Sequence, residues 1–198
     1  MFDKYNMNIL AKKVIRDYVY HLETLNDFKE ISNEAESLFR NELKKVDESA
    51  LEALTPKDNG EKPKKVDEVE NISFDDKDFK KLFRKVVVKC HPDKIKSESE
   101  EEIEFLKLAY EEANQANDTY DWGLLLKVAL DLKIESFELD DEKINNINEN
   151  ILNLKEQISK YEQSMAYQWY IKPEENKESY LKDCAAIFKM SLGKSRPS

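Results

Sequence analysis

Cysteine and histidine are almost missing from this chain of 198 residues. It has two of each: Cys90 and Cys184, His21 and His91. Two cysteines cannot build the disulfide framework that staples small secreted domains. A closed zinc site needs four suitably spaced ligands. Cys90 and His91 are adjacent and lack that spacing, so no metal or other cofactor is expected. Glycine (three) and proline (five) are also scarce. Tight turns depend on these residues, so a hairpin-rich sheet protein is disfavoured. Long polar helices with narrow apolar stripes fit the composition better. No apolar run approaches the roughly 20 residues that cross a bilayer. The opening Met1-Phe2-Asp3-Lys4-Tyr5-Asn6 lacks the charged-then-apolar layout of a signal peptide. Basic residues are outnumbered, 32 against 42 acidic ones, for a net charge of −10. That balance argues against nucleic acid and against anionic membranes as partners. The expectation is a soluble all-α protein of the cytoplasm, or of a host's cytoplasm if the chain is viral.

Apolar periodicity organises the chain. Residues 1–54 form an N-terminal helical region. Within it, Tyr18, Leu22, Leu25, Phe28, Ile31, Ala35, Phe39, Leu43 and Val46 predict helix over 8–54, with Asn26-Asp27 or Ser32-Asn33 as places for a break. Residues 55–71 hold Pro56, Gly60 and Pro63 among charges and read as a flexible linker. Residues 72–120 hold two helices. The first, capped within Ser73–Asp75, aligns Phe79, Leu82, Phe83, Val86, Val87 and Cys90 on one face, and Lys80, Lys81, Arg84, Lys85 and Lys89 on the other. Pro92 stops it. The second starts at Ser97 or Ser99 and opens with glutamates, which the helix dipole favours there. It buries Ile103, Leu106, Ala109, Tyr110 and Ala113. Residues 121–192 form a C-terminal helical and coiled-coil region. Asp121 caps one helix. Asp140-Asp141 then opens a helix of about thirty residues, ~45 Å long, whose Ile144, Ile147, Ile151, Leu154, Ile158, Tyr161 and Met165 make a heptad seam. Covering that seam takes a partner in this chain or in a second copy, so self-association through 141–170 is one expectation. Pro173 separates a last helix, Glu174 to Leu192, and 193–198 read as a disordered tail.

The stretch Phe79-Lys-Lys-Leu-Phe-Arg-Lys-Val-Val-Val-Lys-Cys-His-Pro-Asp-Lys94 resembles helix II and the His-Pro-Asp loop of the J-domain (DnaJ-like) family. Leu108-Ala109-Tyr110-Glu111 resembles the family's Glu-Ala-Tyr-Glu in helix III. The resemblance covers roughly Ser73 to Asn117. A bare His-Pro-Asp carries little weight; the basic amphipathic helix before it and the Ala-Tyr helix after it make the pattern specific. The resemblance implies an all-α fold in which a J-like helical hairpin with its His-Pro-Asp loop joins long helices in a bundle or coiled coil. It further implies a co-chaperone, not an enzyme, that binds a DnaK-type heat-shock ATPase and stimulates it. In that role His91, Pro92 and Asp93 project from the loop, Lys80, Arg84 and Lys85 bind an acidic patch on the ATPase, and Lys81 and Lys89 assist. The remaining helices would recruit a client or complex whose identity is unknown.

The chain departs from the family pattern. Leu82 is larger than the usual alanine, and Cys90 replaces the usual tyrosine. The first helix with Tyr-x-x-Leu-Gly is absent, so either a helix from 8–54 supplies its packing or the finger is shorter. The glycine/phenylalanine-rich segment and the zinc module are missing, which leaves a specialised J protein. Asn117 to Trp169 is similar, more weakly, to small J-like proteins of phages, large viruses and some bacteria. The alternative is a structural or assembly protein that uses the hairpin and coiled stretch for interactions without ATPase stimulation. Beside these readings, Cys90 reads as a buried small residue before a nucleophile, His21 as packing, and Tyr167, Trp169 and Tyr170 as a cap on the bundle or a partner surface.

Overall fold

The structure is a computed structural model and describes residues 9–48, 76–95, 99–134 and 139–194. Among these it is all-helical: seven α-helices and one 3-10 turn, with no strand. The helices are α1 (Ile9–Val46), α2 (Lys77–Cys90), α3 (Glu100–Thr119), α4 (Trp122–Asp131), α5 (Asp141–Glu162), α6 (Met165–Tyr170) and α7 (Glu174–Lys194); the 3-10 turn is Pro92–Lys94. No helix among the described residues is long and apolar enough to cross a membrane. The expected linker, the cap within Ser73–Asp75 and the helix beyond Glu48 lie outside the described residues.

The chain divides into two compact units, with limits inside α1 and α5. Described residues up to 23 and from 76 to 155 form the first; those from 24 to 48 and from 156 onward form the second.

In the first unit, α2, α3 and α4 pack on one another. Helices α2 and α3 run antiparallel. Phe79 at the start of α2 stacks on Tyr120 at the end of α3, with centroids 4.9 Å apart, while His91 at the end of α2 meets Tyr110. Helix α4 buries Trp122, Leu124, Leu125, Leu126, Val128 and Ala129 on all sides, as a short core helix must. Ala11, Val14, Ile15 and Tyr18 of α1 and Ile144, Ile147 and Ile151 of α5 are buried in the same unit.

In the second unit Phe39, Leu43, Trp169, Leu181, Cys184 and Ala185 form a core cluster. Phe39 meets the Trp169 ring edge-on at 5.8 Å, and Phe28 lies against Tyr167. Trp169 is therefore part of the packing.

Several boundaries differ from expectation. Helix α1 runs unbroken through both proposed breaks. Asn26, Asp27 and Asn33 face solvent, where their weak helix preference costs little, and the apolar stripe fixes the helix. The helix expected to run for thirty residues is two helices. Helix α5 ends at Glu162, and Ser164 caps α6 by accepting from the Tyr167 N–H at 3.2 Å. The seam residues Ile144 to Ile158 are nevertheless buried within the single chain. Helix α2 is capped by Asp76, and α7 continues to Lys194, past the expected end at Leu192.

Candidate partner-binding site

Helix α2 divides into a buried apolar face and an exposed, mainly basic one. Phe79, Leu82, Val86 and Cys90, at steps of three and four, are buried. Lys80, Lys81, Arg84 and Lys85 are exposed on the opposite side. Val88, one turn beyond Arg84, lies on that basic stripe and is 58% exposed. Lys89 is exposed as well, but its ammonium is engaged: it donates to the carbonyl of Leu132, past the last turn of α4. The five basic residues singled out by sequence thus split into four on one surface and one that caps a neighbouring helix.

The turn after α2 is held by its own backbone and by His91. The His91 N–H closes the last turn of α2 on Val87 O at 2.8 Å. Pro92 fixes the chain in the 3-10 turn, where the Lys94 N–H donates to His91 O at 2.8 Å and the Ile95 N–H to Pro92 O at 3.3 Å. The Asp93 N–H donates to His91 Nδ1 at 3.2 Å. That bond assigns Nδ1 as the acceptor and leaves Nε2–H as the ring's donor. The His91 ring packs edge-on against Tyr110 at 5.4 Å. The Asp93 side chain is 88% exposed, with Oδ2 3.7 Å from His91 Nδ1, and so can accept charge-assisted hydrogen bonds from outside. Beside the turn, a groove of 790 Å³ runs between Pro92 and the side of α3 that carries Lys107, Tyr110, Glu111 and Asn114.

Cys90 is fully buried, and its thiol donates to Val86 O at 3.2 Å. Burial pushes that thiol up, the opposite of what a thiolate nucleophile requires. His21 donates from Nδ1–H to the carbonyl of Asp17, one turn back in its own helix, at 2.8 Å. Among the described residues no cluster of three or more His, Cys, Asp or Glu is arranged to hold a metal.

The base of the hairpin is organised by residues that sequence reasoning passed over. Asp76 Oδ1 accepts from the N–H groups of Asp78 at 2.9 Å and Phe79 at 3.0 Å. Its Oδ2 accepts from the Tyr120 hydroxyl at 2.8 Å and the Trp122 indole at 3.2 Å. Burial pushes the Asp76 carboxyl up, but these hydrogen bonds outweigh it and hold the group below the usual carboxylate range. Tyr120 ends α3 in the left-handed conformation, φ 51°, which is unfavourable for a bulky residue. Its hydroxyl bond to Asp76 and its stacking on Phe79 offset that cost. Lys143, 7% exposed, donates to Asp78 at 3.0 Å and Asp140 at 2.9 Å, and lies 5.3 Å from the Trp122 ring centroid. Only the polar–aromatic mixture of Tyr120-Asp121-Trp122 hinted at this cluster in the sequence.

No family model matches this chain, and no curated protein and no solved structure is significantly similar to it.

Proposed function

We propose that the protein is a J-domain co-chaperone that docks on a DnaK-type heat-shock ATPase and stimulates it, while its other helices recruit a client. One observation carries this: Lys80, Lys81, Arg84 and Lys85 form an exposed basic stripe on a helix that leads directly into His91, Pro92 and the exposed Asp93. On a chain of net charge −10, concentrated positive charge favours oriented, steered encounter with an acidic surface. Pro92 and the hydrogen bonds of the turn limit the entropy lost on docking. A docked hairpin acts by binding the hydrolysing state of the ATPase better than the other states. No bond chemistry falls to the protein itself.

The alternative, an assembly protein, draws on Ile187 and Met190, 52% and 70% exposed one turn apart on α7. Ionic strength separates the two. Fluorescence anisotropy of the labelled protein against a DnaK-type chaperone with ATP measures docking directly. Steered docking weakens as salt rises through the Debye regime, and Lys80→Glu with Arg84→Glu abolishes it. Association that is indifferent to salt and to both substitutions contradicts the co-chaperone reading and favours an apolar interface.

A further inference from the structure

Tyr18, Asp121 and Trp122 take no part in the proposed docking surface, yet they form a continuous polar chain at the end of the hairpin opposite the His91 turn. The Tyr18 hydroxyl donates to Asp121 Oδ2 at 2.7 Å, across 103 positions of sequence. Oδ1 of that carboxylate accepts from the Leu124 N–H at 3.0 Å, capping α4, and from the Asn150 amide at 2.9 Å. Trp122 carries the link onward. Its backbone N–H donates to Asn146 Oδ1, and its indole N–H donates to Asp76, the cap of α2. The backbone leaves room for this and nothing more: a Cβ on Gly123 would stand 2.4 Å from the Tyr18 ring. Burial keeps the Tyr18 hydroxyl protonated, so it stays a donor. A buried polar chain with every member satisfied is rigid, and losing one member is felt by the others.

We infer that Tyr18 is a positioning residue for the hairpin: through Asp121 and Trp122 it fixes the first turn of α2, bracing from α1 the element that carries the basic stripe. This part stands without the docking reading; its functional consequence rests on it.

Hydrogen exchange on the full chain tests the brace, with Tyr18→Phe keeping the ring on Gly123 and removing one oxygen. The expected result is about tenfold faster exchange, the equivalent of ~1.4 kcal/mol, in the first turns of both α4 and α2, with the amides of Leu181–Phe188 unchanged. Asn150→Ala, which removes a different member, gives the same response in α2. Faster exchange confined to α1 in Tyr18→Phe, or to α5 in Asn150→Ala, overturns the inference, because each residue then anchors only its own helix. The functional arm is ATPase stimulation as a function of protein concentration. A less well-positioned hairpin lowers the competent fraction and so the apparent affinity. Tyr18→Phe should therefore raise the half-saturating concentration severalfold and leave stimulation at saturation unchanged. If the wild type stimulates and the variant has the same half-saturation, the positioning role is wrong. If the wild type does not stimulate, the docking reading fails, and the exchange pattern alone decides the brace.

Discussion

Asp76 shows how one side chain can serve two levels of structure at once. It was passed over in the sequence in favour of the cap candidates before it, because a run of two aspartates offers two equally good N-caps and only tertiary donors choose between them. Tyr120 and Trp122 make that choice, from positions 44 and 46 residues away. Removing its charge has a defined pH signature. The folded-state pKa lies below the ordinary 3.8, so the folded state binds fewer protons and the contribution of the carboxylate is fully present above that value. It is lost as pH falls through the folded pKa. Asp76→Asn should cost about 1–3 kcal/mol at pH 7, by urea unfolding, and the gap to the wild type should narrow below pH 3.8. A gap that stays constant down to pH 2 would show that the charge of Asp76 contributes nothing.

At the scale of elements, what was legible followed from periodicity and caps. The faces of α2, the Ser99 cap of α3 and the Asp121 cap of α4 are local, and each is present. The break at Gln163–Ser164 was hidden because the heptad spacing continues through Met165 across it, so the apolar pattern kept its rhythm while the backbone did not. Conversely, α1 carries cap-favouring residues mid-helix and does not break: Asn26, Asp27 and Asn33 point to water, and the apolar stripe holds the helix through Ser32. Lys89 is another case that periodicity could not resolve: it belongs to the basic side of α2 in sequence, but its ammonium reaches Leu132 O. Lys89→Met should therefore lower stability by about 0.5–1.5 kcal/mol in thermal unfolding and leave the salt dependence of docking as in the wild type. Unchanged stability together with weakened docking would return Lys89 to the docking surface.

For the whole molecule, the legible features were its helical class and its surface charge; what escaped was the assignment of segments to units. A linear reading divides the chain into consecutive pieces, whereas the compact units are discontinuous, with limits inside α1 and α5. Contacts such as Tyr18 to Asp121 decide this, and no window of sequence contains them. The seam from Ile144 to Ile158, which invited a second copy, is buried in one chain, while Met165 at its far end is 37% exposed. The central claim remains that the hairpin engages a heat-shock ATPase. The most direct measurement is single-turnover ATP hydrolysis by a DnaK-type chaperone, with this protein and with its His91→Gln variant. A working co-chaperone accelerates hydrolysis, and the substitution removes that acceleration while circular dichroism shows the helical fold retained. No acceleration by the wild type with several such chaperones, or equal acceleration by the variant, would contradict the claim.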